Sequence, residues 1–174
     1  MRSWDAGEVA IIAIFTALAL VLHLVENLLP AWGPPGAKLG LANIAAMLLL
    51  TTLGLRAAVW VTILRVILGT IFAGTFISLG FWLGMSGGLA SILVMGLLFY
   101  LVPGLDFKLL GVAGAVTHNS AQIAVAYFFI GYGAFYYLPL LLLLAIPAGL
   151  LTGTIAGRTY KPLHDVIGWR GHHE

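Results

Sequence analysis

The chain of 174 residues has no cysteine. Disulfides, thiolate metal sites and a cysteine nucleophile are therefore excluded. Charge is almost as scarce, with Asp, Glu, Lys and Arg together making up 8% of the residues. A soluble domain carries about 25%, so these few charges do not cover a water-exposed surface. The acids are Asp5, Glu8, Glu26, Asp106, Asp165 and Glu174. They form no aspartate-rich motif of the kind that holds a magnesium diphosphate. A GxxxxGK[ST] phosphate loop is also missing, so the chain itself does not hydrolyse ATP. The pI of 9.1 comes with a net charge of only +2. There is no basic stripe with interleaved aromatics, which argues against a nucleic-acid partner. His172 and His173 stand in a polar tail and are assigned no role; no metal and no cofactor are expected. The chain reads as a non-enzyme.

Apolar residues make up 61% of the sequence and mean hydropathy is +1.08. Their grouping predicts an all-α integral membrane protein of about six transmembrane helices in one domain. A span needs about 20 apolar residues. The expected spans are 8–29, 38–54, 57–73, 86–102, 109–130 and 135–156. The first run reads as a span and not as a removable signal peptide. The stretch 74–85 is apolar but glycine-broken, and reads as an outer loop or a partly inserted segment. With six spans, Arg2, Arg56, Lys108, Arg158, Lys161 and Arg170 share one side, and only Lys38 lies on the other. The positive-inside rule then puts both termini in the cytoplasm.

Charges inside the membrane are costly and persist when paired or when they face a cavity. Arg65 falls near the middle of the third span. It suits either a structural ion pair with Glu26 or a clamp for an anionic solute. His23 and Glu26, three residues apart, share one face of the first helix. His118 and Gln122 lie one turn apart on the fifth, with Asn119 adjacent. They suit an interhelical hydrogen-bond network or a ligand site. Lys38, Gly40 and Asn43 are expected to open the second helix on the outer side, and Ser86, Gly87 and Gly88 the fourth. Helix N-termini attract anions, although ordinary capping explains both equally well. Together these residues suggest a solute pocket open to the outside.

Ala6, Ala10, Ala13 and Ala17 form one narrow stripe on the first helix. Small residues at this spacing let another helix approach closely. The stripe suits packing inside the bundle or docking of a partner. His23 and Glu26 lie nearly opposite, so if they face inward the alanines face a partner.

The stretch 36–43, with Lys38, Gly40 and Asn43, followed by Arg65 with Gly69, Ser86-Gly87-Gly88, and His118-Asn119 with Gln122, resembles the Gx transporter family. That family is often labelled heptaprenyl diphosphate synthase component I. It is similar in turn to the S components of energy-coupling factor (ECF) transporters. Those are six-helix subunits that bind one vitamin-like solute and dock on a transmembrane scaffold driven by two ATPases. Their first helix carries an Ala-x-x-x-Ala motif, which Ala6/Ala10 and Ala13/Ala17 fit. The resemblance implies a prokaryotic cytoplasmic-membrane protein that binds a small solute and contacts lipid, a scaffold and ATPase subunits. A small, partly apolar solute with an anionic or hydrogen-bonding head is expected, and an isoprenoid or quinone precursor, or a vitamin, is the implied cargo. The alternative is a non-catalytic membrane subunit of a polyprenyl diphosphate synthase.

Overall fold

The computed structural model describes residues 4–28 and 39–167. They form helices throughout, with no strand among the described residues. The order is α1 (Ala6–Leu28), α2 (Leu41–Leu53), α3 (Leu55–Phe72), α4 (Leu79–Leu101), α5 (Phe107–Ile130), a 3-10 segment (Gly131–Tyr137) and α6 (Leu138–Ile167). Polar residues set the helix starts. The Glu8 amide donates to Asp5 Oδ1 at 2.8 Å and the Asp5 amide to Glu8 Oε2 at 3.0 Å. This reciprocal capping box opens α1. Asp106 accepts from the Lys108 amide at 2.7 Å and opens α5.

Among the described residues, four helical stretches are long and apolar enough to cross a membrane: Ala6–Glu26, Leu55–Phe72, Leu79–Leu101 and the run Phe107–Asp165. Exposed large apolar side chains occur along them, among them Ile14, Trp60, Leu97, Phe128 and Leu143. An outer surface of this kind fits hydrocarbon as its solvent, and the chain is a membrane protein. The run Phe107–Asp165 folds back on itself: Asn119 of α5 reaches Leu141 of α6, while Gly111 lies against Gly149 and Gly153. Helices α5 and α6 are therefore antiparallel.

Helix α2 differs from the rest. Its 13 residues span about 20 Å at about 1.5 Å per residue, short of a hydrocarbon core of about 30 Å. Ten of them are buried. It packs against α1, α3, α4 and α6. Met47, Leu49 and Leu50 belong to the main core, with Phe15 of α1, Val61 of α3 and Met95 of α4. Gly54, at φ 86°, separates α2 from α3 in a single residue.

Three helices depart from the sequence expectation at their boundaries. Helix α4 begins at Leu79 and not at 86, so 74–85 is a five-residue turn followed by two helical turns. Gly80 and Gly84 were read as breakers, but glycine is tolerated in a membrane helix that packs closely. Helix α6 begins at Leu138 and continues to Ile167, beyond the expected end at 156. Helix α2 begins at Leu41, with Gly40 before it in the left-handed conformation (φ 76°). Lys38 lies outside the described residues.

Helices α5 and α6 meet backbone to backbone. A Cβ at Gly149 would lie 2.5 Å from the Val112 Cα and 2.7 Å from the Gly111 carbonyl oxygen. Gly153 packs against the Phe107 carbonyl in the same way. With Gly157, these residues form a G-x-x-x-G-x-x-x-G series on α6, a pattern that permits close helix approach.

Candidate functional site

Between the helices lies a cavity of about 390 Å³. Its polar wall includes His23 and Glu26 of α1, Asn43 of α2, Arg65 of α3, Ser91 of α4, and His118, Asn119 and Gln122 of α5. Met47, Val66, Leu83, Met95 and Ala145 supply apolar surface. The cavity reaches Ala73 and Thr75 in the α3–α4 connection and Gly80 in the first turn of α4. That end is opposite the one where Arg56 opens α3 and Lys108 opens α5.

Two hydrogen bonds organise the wall around the start of α2. The Gly40 amide donates to Glu26 Oε1 at 2.5 Å, so the last turn of α1 holds the residue preceding α2. The left-handed backbone at Gly40 suits glycine, which has no Cβ to clash. One turn further, Arg65 Nη2 donates to Asn43 Oδ1 at 2.8 Å. Arg65 also feels the Glu26 carboxylate electrostatically. Both ionisable side chains are buried, at 5% and 8% exposure. Arg65 therefore braces α2 through Asn43 and lines the cavity.

Helix α4 carries two of the other side chains on bare backbone. A Cβ at Gly87 would lie 2.8 Å from His118 Nε2, and one at Gly88 would lie 2.9 Å from Thr62 Cγ2 and 3.3 Å from Arg65 Nη2. His23 is seated similarly against Gly69, where a Cβ would come within 2.8 Å of its ring. These glycines make room for protein side chains. Ser86, Gly87 and Gly88 stand in the interior of α4 and do not open it. The reason is the earlier helix start, and these residues lie behind the cavity wall instead of at its mouth.

Most buried hydroxyls are satisfied locally. Thr16, Thr51, Thr52, Thr62, Thr70 and Thr152 each donate to a carbonyl three or four residues earlier. Three other buried polar atoms, on residues that line the cavity, have no hydrogen-bond partner among the described residues: Arg65 Nε, Ser91 Oγ and Gln122 Oε1. Leaving such groups unmet costs about 1–3 kcal/mol each. Sequence reasoning missed Ser91. It lies four residues after Gly87, on the same helical face and inside the expected fourth span, where a lone serine next to glycines and alanine gave no signal. The α6 wall, Ala145, Ala148 and Thr152, carries no ionisable group and gave no signal.

Asn119 has a structural bond as well as a place on the wall. Its Nδ2 donates to the Leu141 carbonyl at 2.8 Å and ties α5 to α6. Asn119→Leu is expected to lower stability by about 1–2 kcal/mol through loss of this buried bond, read as a drop in thermal midpoint in detergent.

Ala6, Ala10, Ala13 and Ala17 are all exposed, while Glu26 on the other side of α1 is buried. The stripe is therefore not used for packing among the described residues.

A family model for heptaprenyl diphosphate synthase component I matches residues 15–159. No curated protein and no solved structure matches the chain. The match takes in every described residue of the cavity wall and nearly all of the helical bundle, and the chain belongs to the heptaprenyl diphosphate synthase component I family.

Proposed function

We propose that this chain is the solute-binding membrane subunit, or S component, of an ECF-type importer. In this reading the single domain crosses the membrane six times, with both termini in the cytoplasm, and the cavity opens outward. One observation carries it: a cavity among lipid-facing helices, walled by buried Arg65, Glu26 and Gln122, with polar atoms that lack a protein partner. A purely structural bundle gains nothing from such groups, because unmet buried polarity only destabilises it. A solute in the cavity would pair with the polar side chains that line it and offset that cost. The exposed alanine stripe on α1 supports a docking face for a transmembrane scaffold. The energy for transport would come from the ATPases of that complex, since this chain has no phosphate loop.

The test is native mass spectrometry of the purified protein, searching for a retained small molecule. The wild type is expected to carry one and Arg65→Ala to lose it. An empty wild-type protein, whatever the lipid and purification conditions, would contradict solute binding. For the docking face, Ala10→Leu together with Ala13→Leu is expected to abolish recovery of scaffold and ATPases while the retained solute stays. Unchanged recovery would remove α1 from the interface.

The family description favours a second reading, a non-catalytic component of a heptaprenyl diphosphate synthase. It predicts co-purification with a prenyltransferase and not with ATPases. The cavity volume of about 390 Å³ is at the small end of the range for small-molecule pockets, about 300–1,000 Å³. That size suits a compact solute better than a chain of seven prenyl units.

A further inference from the structure

We infer that the mouth of the cavity opens sideways, into the interfacial layer of the membrane, and admits a solute that has first dissolved in the lipid. This rests on the solute-binding reading above and adds the route and the physical class of the solute.

Exposure identifies the mouth. Among the described residues that line the cavity, only Ala73, Thr75 and Gly80 are exposed; the others are buried or half-buried. These three lie in the α3–α4 connection and the first turn of α4. Large apolar side chains near them in the chain are exposed as well: Phe72, Phe76, Ile77, Leu79 and Trp82. No Asp, Glu, Lys or Arg stands between Arg65 and Asp106, or between Lys108 and Arg158. The connections 73–78 and 131–137 therefore carry no such charge. They share one end of the bundle, because Leu83 of α4, Tyr127 of α5 and Leu138 of α6 pack against one apolar cluster that includes Ala134. Tyr132, Tyr136 and Tyr137 of the second connection are exposed, and amphipathic rings of this kind collect at membrane–water borders. A mouth standing in water would leave this apolar rim wet. Lipid satisfies it.

Depth supports the same placement. Arg56 is exposed at the start of α3, and its guanidinium lies over the Trp4 ring, 4.3 Å from the centroid. An exposed cation belongs at or beyond the border of the hydrocarbon. Tyr100 marks the same level on α4, since its hydroxyl accepts from the Leu55 amide. Ala73 lies about 26 Å along α3 from Arg56, and Gly80 about 30 Å along α4 from Tyr100, at about 1.5 Å per residue. A hydrocarbon core of about 30 Å puts both at the far border of the membrane and not out in water. Helix tilt only shortens the reach. The backbone of the turn suits scarce water. Gly74, at φ 66°, ends α3, and the amides of Ala73, Gly74, Thr75 and Ser78 donate to the carbonyls of Gly69, Ile71, Thr70 and Thr75. Backbone groups near hydrocarbon need such internal partners.

The chain has no cysteine, so a single introduced thiol is a unique label site. Thr75→Cys, Phe76→Cys and, at the cation-bearing end, Lys161→Cys each carry a nitroxide in the full chain in phosphatidylcholine vesicles. Power saturation then reads collisions with oxygen, which concentrates in lipid, and with a water-soluble nickel chelate. Oxygen contact is expected to exceed nickel contact at 75 and 76, with the order inverted at 161. Nickel in excess at 75 or 76 overturns the sideways mouth. So does shielding of either position from both reagents, which means that protein and not lipid covers it. The class of solute is read on the molecule that native mass spectrometry finds in the wild type. Released and mixed with phosphatidylcholine vesicles, it is expected to leave the buffer for the lipid. Its recovery in the buffer overturns the lipid route but leaves solute binding standing. A wild type that retains no molecule removes solute binding, and the route falls with it.

Discussion

Gly149→Leu is expected to leave almost no monodisperse protein after detergent extraction, as read by size-exclusion chromatography. The position faces backbone on the partner helix: the Val112 Cα, the Val112 nitrogen and the Gly111 carbonyl all lie within 2.7 Å of where a Cβ would stand. Side chains can rotate away from an intruder, but a helix backbone can yield only by moving as a whole. Overpacking typically costs about 1–3 kcal/mol, and Gly149→Ala is expected to fall in that range. Leucine adds three more carbons to the same clash. In a membrane there is little hydrophobic gain to hold the separated helices together, since lipid tails are as apolar as the side chains. Gly133 supplies the control. Nothing lies within 4 Å of a Cβ there, so Gly133→Ala is expected to change the thermal midpoint by no more than the error of the measurement.

Removal of the Arg65 side chain is expected to have the second large effect. Arg65→Ala takes away the donor to Asn43 Oδ1 and the positive charge near buried Glu26. Loss of the buried, charge-assisted bond to Asn43 costs about 1.5–3 kcal/mol, and Glu26 loses a compensating positive charge in its surroundings. The compensating change is at Glu26. In Arg65→Met with Glu26→Gln, no charge remains, and a glutamine oxygen still accepts from the Gly40 amide. The double variant is expected to recover most of the lost thermal stability in detergent while remaining unable to retain solute. An additive loss, with the double variant no more stable than Arg65→Ala, would mean that the two charges do not support each other.

How much of this was legible in the sequence depends on the kind of signal. Arg65, Glu26, His23, His118, Asn119 and Gln122 stood out because hydrocarbon makes polar side chains conspicuous. The structure brings all six, with Asn43, around one cavity. Their roles toward a solute remain a proposal. Length and hydropathy marked the long apolar helices, and except at the start of α4 and the end of α6 the helix bounds lie within a few residues of the expected ones. The start of α4 was missed because Gly80 and Gly84 look like breakers in isolation. Whether they interrupt a helix depends on neighbours that a single sequence does not display. The backbone contact of α5 with α6 was missed for a related reason. Gly149, Gly153 and Gly157 lack side chains, and their importance lies in the space they leave. The spacing was available, but the partner surface at Gly111 and Val112 was not.

The glycine seats on α4 have a consequence for binding thermodynamics. At positions 87 and 88 there is no rotamer to choose, and the rings or guanidinium groups of His118 and Arg65 rest on main chain. This part of the enclosure is shaped before any guest arrives, like a mould cast in rigid material. A guest entering it loses its own freedom but demands little new ordering from the host, so preorganisation favours affinity at a given contact area.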